Sequence, residues 1–544
     1  MKWLFLAMYV GLVACGTPDR GPHWRAGTST QPREGGTLRF SNNATIKTLD
    51  PAIAYDDVTP PILHAIYDTL VDYDAPRAGD PASGLRIVPQ LAERWDISPD
   101  GRAYHFYLRA GLAYEDGRPI VAADFKTSLE RALAMPESPM GQFLAPLEGA
   151  DDMLAGKAKT CRGIEVLSDR ELVFHLTKPD ATFLYVLAMT FAAPLRADYL
   201  ASVGDQLRRH PLASGPYMLA SWDEGEHIVL RRNPHYFDPH RSHLDGIEMF
   251  EGIERDTQFL MFERGELDTA ERMTSPDIVW LREQPAWQPF IHDRATMNAY
   301  GIRMNVRKKP FDDRRVRQAL NYALDKDDAV KLLNGGAVAS HGLMPPGTFG
   351  RDETLQPYPH DPAKARALLA EAGYPNGFDA DFVTTNDEEA EKMAALYQAD
   401  FAEVGVRLHI TLLSFATYTT AIGRADGPPF SMATWLADFP DPTSFLDTRF
   451  HSRMIANENS SNDSFYSNPE LDALLDQARA ETDRAKREQM YHRAERILYD
   501  DAPWVWNYHR TMTEVVQPYV RGYEPHPVWT RDYTSTWLDE KVPR

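Results

Sequence analysis

Between Asp361 and Leu413 the chain spells helix, stop, helix, stop, strand, and this succession narrows the possible folds more than any other feature. In DPAKARALLAEAGYPNGF, Asp361 stands at an N-cap position, Pro362 at the first helical position and Gly373 just past the end, the usual asymmetry of helix termini. In EEAEKMAALYQADFAEVGVRLHITLL, Met393, Tyr397, Phe401 and Val404 fall on one helical face. Gly405 stops the helix, and Val406, Leu408, Ile410 and Leu412 then alternate as a strand. Helix followed by strand predicts α/β lobes built on open sheets.

The earlier part of the chain has a different texture. GGTLRFSNNATIKTLDP reads as a strand, with Leu38 and Phe40 alternating, that enters a turn closed by Leu49-Asp50-Pro51. TPPILHAIYDTLVDYD carries Ile62, Ala65, Ile66 and Leu70 at helical spacing. In WDISPDGRAYHFYLRAGLAYEDGRPI, Tyr104, Phe106 and Leu108 alternate with Ala103, His105, Tyr107 and Arg109, and Pro-Asp-Gly and Glu-Asp-Gly mark hairpin turns. With 544 residues and about 150 per compact unit, three to four units are expected.

Charge removes one group of partners. Asp plus Glu number 79 against 58 Lys plus Arg, a formal net charge of -21, so no nucleic acid partner is expected, because such partners attract basic patches. The N-terminus sets the compartment. MKWLFLAMYVGLVAC has one early Lys and an apolar run from Trp3 to Val13, shorter than the roughly 20 residues of a spanning helix and suited to a cleaved export signal over residues 1–14. Its Leu12-Val13-Ala14-Cys15 end is similar to the bacterial lipobox, which predicts lipidation at Cys15; a small-residue cleavage site that contains Cys is the alternative. Residues 15–35 are rich in Gly, Pro, Ser and Thr and predict a flexible tether. Attachment is then through lipid only, on the periplasmic side or at the cell surface. Cys161, the second of two cysteines, has no disulfide partner left, so the body must rest on a large core.

Taken in order, several segments resemble one family. GGTLRFSNNATIKTLDP, VPQLAERWDISPDGRAYHFYLRAGLAYEDGRPIVAADF, SGPYMLASW with RRNPHYFD, FERGELDTA, NVRKKPFDDRRVRQALNYALDKD and WLADFPDPTSF are similar to the extracytoplasmic solute-binding proteins of family 5, the peptide-binding subunits of ATP-driven (ABC) importers. The resemblance runs from about Gly35 to near the C-terminus. It implies an α/β fold of the periplasmic-binding-protein type, a two-lobed clamp (type II, cluster C) with an additional inserted third lobe. Lobe I takes residues 36–67, 206–297 and 510–544, the inserted lobe II residues 68–205, and lobe III residues 298–509. The crossovers near Tyr300 and Tyr508 are implied hinges.

The resemblance also suggests a site. In peptide-binding members the Asp three residues after the Trp of WLADFPDP receives the ligand's α-ammonium, which here is Asp438. A lobe-enclosed ammonium is costly without a fixed carboxylate, whatever the family. Trp435 would wall that site, while Asp441 and Pro442 shape the turn. Phe415 falls at a stacking position, Tyr55 lies on the loop after the first strand, and Glu271, Arg272 and Met273 follow FERGELDTA along the ligand. Ligands of this kind lie extended and bond through their main chain. No arginine stands before Trp435 to take a ligand carboxylate. Arg303, also placed among the ligand-binding residues, and Arg424 are the available cations, so the carboxyl end stays open. The implied partners are a short peptide or related amine-bearing solute and the permease subunits of the importer, with the protein a monomer that carries no cofactor.

Two other readings compete. A secreted hydrolase finds no support, since the chain has no G-x-S-x-G, H-E-x-x-H, C-x-x-C or G-x-G-x-x-G; no catalytic residue is assigned. His235, His240 and His243 in RRNPHYFDPHRSH are the best metal candidates, but nothing in the segment supplies fixed outer partners, and no metal site is assigned. The other reading keeps the clamp and changes the cargo to a metal chelate, haem, glutathione, an opine or a sugar, because a fold does not name its ligand.

Overall fold

The computed structural model describes residues 21–543 apart from positions 57, 78, 81 and 272. The signal segment and Cys15 lie outside the described residues. No helix among those described is long and apolar enough to cross a membrane.

The helix–strand succession forms as its caps require. The helix Pro362–Glu371 starts at Asp361, whose carboxylate accepts from Lys364 N at 2.9 Å. The helix Glu388–Glu403 starts at Asp387, which accepts from Ala390 N at 3.0 Å, and buries Met393, Tyr397 and Phe401. Gly405 stops it at φ +84°, where a Cβ would stand 2.9 Å from the carbonyl of Asn376, so only glycine fits there. The strand Val406–Leu413 follows and runs parallel to Phe378–Thr385.

These strands belong to the largest sheet. Its order is Thr269–Ala270, Trp504–Val516, Asn298–Met304, Phe430–Leu436, Phe378–Thr385, Val406–Leu413, with Ile291–Ala295 and Ala337–Ala339 also paired to Trp504–Val516. Helices cover both faces. One core gathers Ile302, Leu320, Phe382, Tyr397 and Phe430, and the other Ala433, Phe450, Leu475, Tyr491, Trp504 and Trp506.

Two four-stranded sheets make up most of the rest. One runs Thr37–Ser41, Gly246–Phe250, His227–Arg232, Tyr217–Asp223 and buries Leu38 and Phe40 completely. The other is antiparallel, in the order Ala92–Ile97, Ala103–Leu108, Glu171–His175, Ile164–Ser168. In the strand Ala103–Leu108, Tyr104, Phe106 and Leu108 face inward, as the alternation predicts. Cys161 is buried and free.

The spacing of Ile62, Ala65, Ile66 and Leu70 overstates one helix. The observed helix is Pro60–Ile66, with Tyr67 already extended at φ −125°, and Leu70 packs just before the strand Val71–Tyr73. The buried carboxylate of Asp68 draws the chain away, because it accepts from Gln90 Nε2 and from Tyr236 OH, both at 2.6 Å.

The strand Trp504–Val516 is 13 residues long and serves two neighbourhoods. Trp504, Val505, Trp506 and Tyr508 pair with the strand Asn298–Met304, while Thr511–Val515 pair with Ile291–Ala295. The Tyr300 and Tyr508 rings stack at the junction, with centroids 4.8 Å apart and planes 9° from parallel.

Candidate functional site

Three strands of the large sheet, Phe378–Thr385, Val406–Leu413 and Phe430–Leu436, run parallel, so their carboxyl ends meet one edge. In open α/β sheets that edge is where ligands bind. Large apolar side chains stand exposed along it: Leu412, Phe415, Leu436 and, from the loop after Thr37–Ser41, Tyr55.

The turn after Leu436 is fixed from several sides. Ala437 N donates to Met297 O at 2.8 Å, extending the strand pairing by one residue. Trp435 Nε1 donates to Ser444 O at 2.7 Å, and Asp438 N donates to Ser444 Oγ at 2.9 Å. Trp435 and Asp438 are thus tied to one serine. The Arg449 guanidinium lies 5.0 Å from the Trp435 ring centre. Asp441 is fully buried and meets Arg487 in a fork, Nη1 to Oδ2 at 2.7 Å and Nη2 to Oδ1 at 2.8 Å, while it also accepts from Thr443 N and Oγ1. An aspartate so saturated shapes the turn and has no bond left for a ligand.

Asp438 is different. Its Oδ1 accepts from Tyr55 OH. Burial raises the pKa of its carboxyl, and the Tyr55 hydrogen bond lowers it in part. Burial and the charge of Asp438 both raise that of the Tyr55 phenol, so the phenol keeps its proton and acts as donor. A hydroxyl donor favours the charged form, the state that can receive an ammonium, and so offsets part of the effect of burial.

A further contact flanks this turn. Tyr185 stacks on Phe439 with centroids 5.9 Å apart and planes 8° from parallel. Arg479 Nε and Nη2 both donate to Asp180 Oδ2, at 2.9 and 2.8 Å, and Ala181 N donates to Arg479 O at 2.9 Å. The segment 180–185 thereby closes over the Asp438 turn.

The other sequence-predicted residues fall in different places. Phe415 begins the helix Phe415–Ile422 and is 67% exposed at the same edge. Arg303 is a correction, because its side chain is wholly buried and its Nη atoms donate to the carbonyls of Asp463 and Pro428 at 2.9 and 2.8 Å. Those carbonyls offer partial negative charge inside the protein, so this guanidinium holds loops together. Glu271 is also a correction. It is buried, 3.3 Å from Arg531, which in turn lies 3.1 Å from Glu514, whose carboxyl is pushed up to about 8, first by burial. Met273 packs with Phe262, Leu281 and Trp287 in a small core, so its side chain does not line an open cleft. Arg272 lies outside the described residues. Arg424 is exposed and paired with Asp426 and Glu458.

Of the three histidines, His243 Nδ1 lies 2.7 Å from Glu34 Oε1, and His235 and His240 are exposed. No group of three or more metal-ligating side chains exists among the described residues. Sequence reasoning passed over Ser444, Arg487, Asp180 and Arg479. Only Ser444 lies close enough to Asp438 in the chain to suggest itself.

Comparison with known proteins agrees with this architecture. Heme-binding protein A of Haemophilus influenzae is 29% identical over 495 residues, covering 88% of this chain and 87% of that protein. The dipeptide-binding protein of Escherichia coli is 29% identical over 472 residues, covering 83% and 86%. Among solved structures, the ABC transporter-associated periplasmic binding protein DppA from Helicobacter pylori in complex with peptide STSA superposes with a TM-score of 0.74 at 28% identity, covering 93% of this chain and 99% of that one. The fold is thus the α/β clamp of these binding proteins. The family model described as bacterial extracellular solute-binding proteins, family 5 Middle, matches residues 86–457, and the chain belongs to that family.

Proposed function

We propose that this protein is the extracytoplasmic substrate-binding component of an ABC importer, which captures short peptides by their free amino end and delivers them to a membrane permease. The observation that carries the reading is Asp438 at the sheet edge, whose main-chain N is held by Ser444 and whose carboxylate accepts from the Tyr55 hydroxyl and makes no ion pair among the described residues. An ammonium enclosed there exchanges water for a fixed counter-charge, which recovers its desolvation.

In this reading Trp435, Tyr55 and Phe415 form the wall and floor around the ammonium, and the exposed sheet edge takes the ligand main chain. Its lobes in this reading are 36–67, 206–297 and 510–544 facing 298–509, with 68–205 inserted. The protein works as a monomer tethered through lipidated Cys15, without catalysis and without a cofactor. Relatives named for a dipeptide and for a peptide complex support peptide as the cargo. A relative named for haem keeps a non-peptide cargo as the second reading, but haem offers no ammonium to Asp438.

The test is native mass spectrometry of the protein as purified, followed by calorimetry with free and amino-acetylated short peptides and with haem. Peptide in the purified protein and a steep loss on acetylation support the reading. Equal affinity for acetylated and free peptides, or tight haem binding with no peptide binding, overturns it.

A further inference from the structure

The strand register places a cation two strands away from the end of Phe430–Leu436, the strand that leads into Asp438. Thr434 pairs with Tyr300, and Tyr300 pairs with Tyr508; two residues further along, Leu436 pairs with Asn298, whose Oδ1 accepts from Arg510 N at 2.9 Å. Side chains alternate along a strand and directly paired residues share a face. Thr434, Leu436, Tyr300, Tyr508 and Arg510 therefore stand on one face, and the continued pairing of Ala437 with Met297 brings the chain to Asp438 directly at the end of this ladder. Thr434 and Leu436 are exposed, so this corner of the sheet is open.

Arg510 is mounted rigidly and only lightly engaged. Its backbone is held on both sides, N by Asn298 and O by Thr296 N and Oγ1, each at 3.1 Å. Its guanidinium lies 5.3 Å from the Tyr300 ring centre and pairs with the carboxylate of Glu389 in the first turn of the helix Glu388–Glu403. Both partners are partly exposed, by 32% and 39% of their side chains. An ion pair this wet contributes little to stability, and another carboxylate can replace Glu389 on the arginine fork. Arg303 and Arg424, the other cations considered, are respectively sealed inside the protein and paired away from the edge.

We propose that Arg510 receives the carboxylate of the ligand in exchange for Glu389, so that the site measures a zwitterion with ammonium on Asp438 and carboxylate on Arg510. This rests on the Asp438 reading above and specifies the other end of the same ligand. The spacing sets its length. Two strand steps of about 4.8 Å and one two-residue step of about 7 Å separate the two backbone positions by about 12 Å. After the reach of both side chains, an extended ligand at about 3.3–3.6 Å per residue fills the gap with two or three residues.

The test is calorimetry on the full-length mature protein with Ala-Ala, Ala-Ala-Ala, penta-alanine and the carboxyl amide of each. The wild type should bind di- and tri-alanine best and lose tenfold or more on amidation. Arg510→Gln should bind free acid as weakly as amide. Glu389→Gln, which removes the internal competitor and leaves the arginine, should bind free acids more tightly and amides unchanged; this gain of affinity cannot come from misfolding. Equal wild-type affinity for acid and amide overturns the proposal, as does retained discrimination in Arg510→Gln or no change in Glu389→Gln. If acetylated peptides fail to bind while amides bind as well as acids, the Asp438 anchor stands and Arg510 alone falls. If no peptide binds the wild type, both readings fall.

Discussion

The hydroxyl of Tyr55 donates to Oδ1 of Asp438, so a residue on the loop after the first strand of one sheet touches the carboxylate at the edge of another. The contact ties the charge state of Asp438 to a side chain 383 residues away in sequence. Burial raises the Asp438 pKa, and the tyrosine hydrogen bond lowers it. Binding an ammonium needs the carboxylate, which exists above that pKa and is lost as pH falls through it. Tyr55→Phe should therefore move the acid limb of peptide affinity to higher pH. Calorimetry on wild type and variant between about pH 4 and 7 checks this. Superimposable profiles would show that the tyrosine does not tune the carboxylate.

Asp438→Asn keeps the shape and removes the charge. Taking one partner from an enclosed ion pair costs on the order of 3–5 kcal/mol, which corresponds to two to three decades in dissociation constant. Free-amine peptides should weaken by that much, whereas acetylated peptides should change little. Titration of both ligand sets into both proteins measures the difference.

Asp441→Ala should act on stability. Its fork with Arg487 is buried at both ends, so the substitution strands a buried guanidinium and should destabilise the fold by about 3–5 kcal/mol. Denaturant unfolding reads the change directly. A stability equal to wild type would mean that water reaches Arg487 freely.

Arg479→Ala removes both side-chain hydrogen bonds to Asp180 and leaves Asp438, Tyr55 and Ser444 in place. The segment 180–185 then keeps the Ala181 N bond to the main-chain oxygen of residue 479 and the Tyr185–Phe439 stack over the turn. Ligand should leave faster while association barely changes, because contacts formed on closing act mainly on dissociation. Stopped-flow displacement gives both rates.

Cys15→Ser tests the proposed anchor. Lipidated protein should sediment with membranes and the variant should remain soluble, since the chain would keep no acyl chain to hold it. If the variant sediments as wild type does, some other segment holds it to the membrane.

Much of the scaffold was legible because its signals are local. Asp361 and Gly405 fix helix ends through bonds or torsions within a few residues. The alternation of Tyr104, Phe106 and Leu108 needs only the strand period. Asp441 was read as a turn former, and its bonds to Thr443 are local. What decides the site is not local. Arg303 looks like an available cation in sequence, yet the carbonyl of Asp463 arrives from 160 residues away. Glu271 follows a motif that lines clefts, but Arg531 closes on it from the C-terminal segment. Helix caps are written beside the residues they cap, whereas the burial of a charge is decided by chain that returns much later.

The strand Trp504–Val516 has a mechanical consequence. Because its pairing passes from Asn298–Met304 to Ile291–Ala295 along one strand, the two sets of strands it joins cannot slide past each other without breaking hydrogen bonds. They can only flex where pairing is already imperfect, at the irregularity between Tyr300 and Gly301 beside the stacked tyrosines. The strand is a leaf spring. Deuterium uptake should then concentrate at the amides around 508–511 and fall when ligand is added, while amides four residues to either side exchange only with global unfolding.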